Sequence, residues 1–274
     1  MLQILWIFPL YAFFGWCLEV MYAAVKTGKF VNRGFLNGGL CPIYGVGAAV
    51  LIPLLTPMKD DLLILFLAAI VLASALELVG GFLLKRLFHI SWWDYTAERF
   101  HIGGYICLKF SLIWGLCGVL LVRVIQPPLA YVAARVPISV LVPVLVLFYV
   151  YFVVDVMITV MGVLKLNRDL QEITRLAGLI RKSGDVIGEG LALPTLQAAE
   201  RIRAMDIPEK ARAGRERLQA RMEDFDRLNA LLERRSAVQA RLLRAFPRMR
   251  NLRHDGALNE VRRRIRARVG RKRK

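Results

Sequence analysis

The chain has 274 residues, 57% of them hydrophobic, with a mean hydropathy of +0.48 and a formal net charge of +18. So apolar a composition excludes an ordinary soluble domain. The charge is uneven: residues 1–164 carry 10 Lys/Arg against 7 Asp/Glu (net +3), and residues 165–274 carry 29 against 14 (net +15), so an apolar membrane region precedes a basic tail.

The first hydrophobic run, residues 2–25, contains Glu19 on the helical face of Gly15, Trp16, Tyr22 and Ala23. No Lys or Arg precedes this run and Glu19 interrupts it, which argues against a cleaved signal peptide. The stretch from Phe30 to Gly45 then carries Asn32, Arg33 and Asn37 among Gly34, Gly38, Gly39 and Gly45. Gly38-Gly39 followed by Pro42 does not sustain a helix. Irregular backbone is therefore expected here, satisfied at the membrane surface by neighbouring helices. A second span over 40–56 sits near the lower limit of roughly 17–25 residues for a crossing. The third, 62–84, contains Glu77, and Lys85-Arg86 leads into an aromatic and polar loop from His89 to Gly104. Trp92-Trp93-Asp94-Tyr95 within it suits an aromatic belt at the headgroup level. The fourth span, 105–125, contains Lys109 and is expected to end at Pro127-Pro128; the fifth, 137–164, contains Asp155.

Lys26, Lys29, Arg33 and Lys85, Arg86, Arg99 flank the first and third connections, whereas the second and fourth hold only Lys59, Arg123 and Arg135. The positive-inside rule then places the N-terminus outside and the tail in the cytoplasm. Glu19, Glu77, Lys109 and Asp155, on four different helices, fall in the cytoplasmic half of the bilayer, with Arg33 and Asp94 on loops just below. Intramembrane ionisable groups face the bundle interior and mark functional sites by default. The bland alternative is a set of structural ion pairs, Glu19–Lys109 and Glu77–Arg33. Counting tells against it, since four acids (Glu19, Glu77, Asp94, Asp155) face two bases and two carboxylates are left over.

The tail reads as helices. Residues 165–182 prolong the fifth span until Gly184, Gly188 and Gly190 break it, and Pro194 and Pro208 open two further helices. Leu218, Met222, Phe225, Leu228, Leu232, Leu243 and Phe246 then recur at helical spacing, an amphipathic run over 209–246 suited to a hairpin, a dimeric coiled coil or the membrane surface. The Arg-rich end, 262–274, fits anionic inner-leaflet lipid; no nucleic-acid motif accompanies it. The four Cys form no C-x-x-C pair and the three His are scattered, so neither implies a metal centre, and no cofactor is expected. No phosphate-binding glycine loop, nucleophile elbow or H-E-x-x-H occurs.

Phe14-Gly-Trp-Cys-Leu-Glu19, Phe30-Val-Asn-Arg-Gly-Phe-Leu-Asn-Gly38, Cys41-Pro-Ile-Tyr-Gly45, Glu77, Trp92-Trp-Asp-Tyr95 and Gly104-Tyr-Ile-Cys-Leu-Lys-Phe-Ser111 resemble a bacterial membrane family, the ABC-transporter type IV or CmpB-like permeases. The resemblance covers about residues 5–125 and leaves out the fifth span and the tail. Gly39, Lys85 and His101 depart from its usual pattern. It implies a polytopic inner-membrane permease subunit, in keeping with the all-α reading, and the placement of the polar residues adds Glu19, Asn32, Arg33, Asn37, Glu77, Asp94, Lys109 and Asp155 as the candidate polar pocket. Any ATPase would be a separate partner. Two readings stand beside it: a membrane enzyme holding a lipid-linked or phosphorylated substrate through Arg33 and Lys109, with Glu19 or Asp94 as general base, and a non-catalytic scaffold that recruits partners through its tail.

Overall fold

The computed structural model describes residues 2–192, 219–220, 222–232 and 236–271; Pro194, Pro208 and Leu218 lie outside them. The chain divides into two compact units, Met1–Leu164 with Ala237–Leu252, and Lys165–Ser236 with Arg253–Lys274. The described chain is mostly helical, as expected. Four of its helical stretches are long and apolar enough to cross a membrane: Leu5–Thr27, Leu62–Phe88, Leu108–Ala133 and Ile138–Ile180.

Helix α1 (Leu2–Thr27) packs on α2 (Pro42–Leu55), and α3 (Leu62–Phe88) on α4 (Leu108–Leu120). The 14 residues of α2 cover about 21 Å at helical rise, less than a hydrocarbon core of about 30 Å. A 3-10 turn, Thr56–Met58, extends it towards α3. Asp61 starts α3 by accepting from the backbone N–H groups of Leu63 and Ile64, both at 2.9 Å. His89 ends it in the left-handed region at φ 53°, its N–H returning to the Lys85 carbonyl.

The fourth apolar helix does not stop at Pro127-Pro128. A π turn, Leu121–Ile125, carries the chain into α5 (Gln126–Ala133), where the Gln126 N–H reaches back five residues to Leu121. The two prolines then occupy the first turn of the resumed helix, where a missing N–H costs nothing. Nor do the tail glycines break the last long helix. Helix α6 runs from Ile138 to Ala192, through Gly184, Gly188 and Gly190, each costing only about 1 kcal/mol relative to Ala.

The expected helix over 209–246 is interrupted. Residues 222–232 are helical, Ser236 is not, and α7 (Ala237–Ala245) belongs with the apolar unit. The loop after α3 also contains extended pairs absent from the all-α expectation. Strand β1 (Ile90–Ser91) pairs antiparallel with β4 (Arg250–Asn251), and β2 (His101–Ile102) with β3 (Ile106–Cys107) around Gly103-Gly104, both at positive φ. Trp92 is not a belt residue: it is 6% exposed, packed between Phe35 and Phe246 at ring distances of 5.1 Å each.

The second unit has its own apolar seam of Leu166, Leu170, Ile173 and Leu176 on α6, with Leu232 and with Leu258 and Val261 of α8 (Asp255–Arg271). Its polar links are Arg227–Glu172 at 3.4 Å, Arg264–Asn229 at 3.1 Å and His254–Thr174 at 3.1 Å.

Candidate functional site

Two polar clusters form where the helix ends and loops of the first unit meet. The first fixes the irregular stretch after α1. Asn32 accepts from the Trp16 indole N–H at 2.8 Å and from the Gly34 N–H at 3.0 Å, and donates to the Asn37 carbonyl at 2.9 Å. Asp155 of α6 is 5% exposed, and both its oxygens serve the same loop. Oδ1 accepts from the Asn37 backbone N–H and side-chain amide, each at 3.0 Å, and Oδ2 from the Gly38 N–H at 2.7 Å. Gly38 is required because a Cβ would strike the Tyr151 hydroxyl and lie 3.0 Å from Asp155 Oδ2. Thr159 Oγ1 also accepts from the Asn37 amide at 3.0 Å. Irregular backbone is thus satisfied by protein, as anticipated.

The second cluster links four helices. Arg33 Nε lies 3.1 Å from Glu19 Oε2 but off its own N–H direction, so the contact is an ion pair without a directed hydrogen bond. The guanidinium also sits 5.3 Å from the Tyr22 ring centre. Tyr44 of α2 donates to Glu19 Oε1 at 2.9 Å, and Gly15 makes room for its ring on α1. The Tyr44 ring meets Trp114 of α4 edge-on at 6.0 Å. Trp114 in turn donates to Glu77 Oε2 at 3.1 Å, and Tyr95 donates to Glu77 Oε1 at 3.0 Å. A continuous line therefore runs Arg33–Glu19–Tyr44–Trp114–Glu77–Tyr95. Glu77 is 9% exposed and forms no ion pair among the described residues.

The structure brings Glu19, Arg33 and Glu77 into one cluster and Asn32, Asn37 and Asp155 into the other. Lys109 joins neither: its side chain is 63% exposed, 3.7 Å from Glu98 and 5.6 Å from the Phe110 ring centre. The pairs Glu19–Lys109 and Glu77–Arg33 are thus replaced by Glu19–Arg33 and Lys109–Glu98. Asp94 stands outside the membrane helices. The Thr96 backbone N–H at 3.0 Å, helped by Arg250 at 3.4 Å, holds its carboxyl below the ordinary range. Burial pushes the Tyr95 hydroxyl well up, reinforced by Glu77, which keeps it a proton donor to that carboxylate.

Sequence reasoning passed over Tyr44, Trp114, Arg241 and Arg250. Tyr44 stands inside a motif already singled out; Trp114 differs from other apolar helix residues only in its indole N–H. Arg241 and Arg250 had no local signal, because their partners lie 204–207 and 156 residues away.

Apolar helices of spanning length that enclose ionisable side chains define a helical membrane protein. Residues 6–160 match the family model described as Putative ABC-transporter type IV, more than half of the chain, so the protein belongs to that transport-related membrane family. The match extends past the 5–125 expected and takes in α6 as far as Val160, Asp155 included. No curated protein and no solved structure matches the chain.

Proposed function

We propose that the chain is a permease-like transport subunit of the bacterial inner membrane, with its substrate-facing polar site at the Glu19–Tyr44–Trp114–Glu77 line. The observation that carries this reading is Glu77: a nearly buried carboxylate on an apolar helix, held by two neutral donors and facing the Glu19–Arg33 pair across Tyr44 and Trp114. A structural acid in such surroundings is normally matched by a cation, whereas a working one is left to bind its partner from the passage. The loop 30–40 serves as the gate beside this line.

In this reading residues 1–164 cross the membrane five times, N-terminus out, and residues 165–274 are cytoplasmic. Two contacts support α2 as a crossing. Phe35 meets Trp92 and Phe88 beside the end of α3, while Arg123 donates to the carbonyls of Lys59 at 2.7 Å and Asp60 at 3.0 Å beside its start. The chain before α2 and the chain after it thus meet opposite ends of α3. The basic helix α8 lies against anionic lipid. An ATPase is supplied by a separate chain. The enzyme reading draws less support, since its phosphate holders Arg33 and Lys109 stand in separate contacts, beside Glu19 and Glu98.

Photo-crosslinking from Lys29 in native membranes, followed by mass spectrometry, tests the proposal. It predicts enrichment of a protein with a phosphate-binding ATPase loop. Enrichment of ATPases no greater than around an unrelated membrane protein of equal abundance would overturn it.

A further inference from the structure

The segment from Ala237 to Leu252 lies beyond the family-matched residues, yet it belongs to the same compact unit as the polar loops. Its hold is specific. The single guanidinium of Arg241 donates to the Gly34 carbonyl at 2.6 Å, the Phe35 carbonyl at 2.7 Å and Asn37 Oδ1 at 3.2 Å. These carbonyls belong to irregular backbone with no strand or helix partner of its own, so one fork satisfies what secondary structure leaves open. The Asn37 side chain consequently bridges two opposite charges, donating to Asp155 and accepting from Arg241. Further along, Leu242, Leu243, Ala245 and Met249 are buried, Phe246 closes over Trp92, β4 adds to β1, and the Leu252 N–H bonds the His89 carbonyl at 3.0 Å. The segment thereby ties the loop 30–40 to the loop after α3.

We propose that Ala237–Leu252 is an intramolecular latch: docked, with Arg241 as its pin, it holds the loop 30–40 closed on α6, and its release frees that loop beside the Glu19–Glu77 line. The physical reason for a two-position element lies in how it is fastened. From within residues 6–160 the loop is held to α6 by Asp155 and Thr159 and by the packing of Leu36 and Leu40 on Phe148, Phe152 and Val156, but the counter-charge for Asp155 comes from Arg241. Withdrawing the segment leaves three loop acceptors unpaired and Asp155 without its matching cation, so the loop must rearrange or take water. Docked and released states thus differ first at the gate, whose acceptors the segment satisfies.

The regulatory meaning rests on the loop being the gate proposed above; the latch itself is tested without any transport assay. Full-length protein in detergent is compared as wild type, Arg241→Ala and Phe246→Ala by amide hydrogen exchange and by labelling of the native Cys41 thiol with a charged maleimide. Cys41 is 5% exposed at the end of the loop. Phe246→Ala removes the ring that closes over Trp92, so it loosens the segment by a second route. Both variants are expected to raise exchange in 31–40 and Cys41 labelling at least tenfold, with exchange in α3 unchanged; Arg241→Lys, which keeps the charge without the fork, falls between. Faster exchange in 237–252 with loop and Cys41 unchanged would overturn the latch. So would a rise that includes α3, which would make the segment part of the general fold. Failure of the ATPase crosslink with these results intact would remove the transport reading and leave the latch standing.

Discussion

Asp155 and Glu77 are two carboxylates on apolar helices, 5% and 9% exposed, and what holds them differs in kind. Asp155 accepts from two backbone N–H groups and an amide, and faces a guanidinium one side chain away. Its surroundings are complete, and they fix a loop. Glu77 accepts from a phenol and an indole, both neutral, and no cation pairs with it among the described residues. Equal burial therefore does not mean equal role: the number and charge of the donors separate an anchor from a site.

Removing the anchor should have the largest effect. Asp155→Ala leaves the loop amides unpaired and Arg241 half-buried without its counter-charge, a loss of about 3–5 kcal/mol for a broken buried pair. At about 2–4 °C per kcal/mol for a unit of this size, the melting midpoint should fall by about 6–20 °C. A fall under about 3 °C, the shift expected from only about 1 kcal/mol, would remove the contrast. Gly38→Ala probes the same anchor sterically and should cost about 1–3 kcal/mol, as overpacking does, read by the same melt.

Within the Glu77 line the effects should be smaller in stability. Combined changes at Glu19 and Arg33, Glu19→Gln with Arg33→Ala, should be non-additive by about 0.5–3 kcal/mol, because the two touch. Lys109→Ala should add independently to either change and cost within about 0.5 kcal/mol, since its partner Glu98 is reached only at an exposed surface. Coupling of Lys109 to Glu19 would restore the pairing that the spacing had implied.

The smallest effect concerns pH. The Asp94 carboxyl is held below its ordinary value, so its contribution is present above about pH 4 and is lost as pH falls through the folded value. Protection of the β1–β4 amides, taken relative to unfolded-chain exchange at the same pH, should therefore show no Asp94-dependent step between about pH 8 and 5, and should fall below about pH 4 in the wild type but not in Asp94→Asn.

Much of this was legible in the sequence for a reason that can be named. Apolar runs, the loop around Gly38-Gly39 and the buried acids are local signals: a charge inside a hydrophobic helix is visible without knowing its neighbours. Pairing was not. Counting acids against nearby bases leaves two carboxylates unmatched, because Arg241 and Arg250 stand in the basic tail, far along the chain from the acids they face. Chain distance hid the partners of Asp155 and Asp94, and only Glu77 remains with neutral donors. Helix ends were misjudged where tertiary context overrode propensity, with a π turn easing the chain past Pro127-Pro128 and α6 continuing through three glycines. The short strands at Ile90 and Arg250 were illegible because each needs the other.

The division between anchor and site is tested most directly by melting Glu77→Gln and Asp155→Asn side by side in one detergent. Each change keeps shape and removes charge, but the new amide N–H₂ meets different neighbours. The Tyr95 hydroxyl can turn and accept from the amide introduced by Glu77→Gln, whereas the backbone N–H groups of Asn37 and Gly38 are donors only and cannot accept from the one introduced by Asp155→Asn. Glu77→Gln should melt within about 2 °C of the wild type and Asp155→Asn at least about 6 °C below it. Equal falls for the two would contradict the account, since Glu77 would then be an anchor like Asp155.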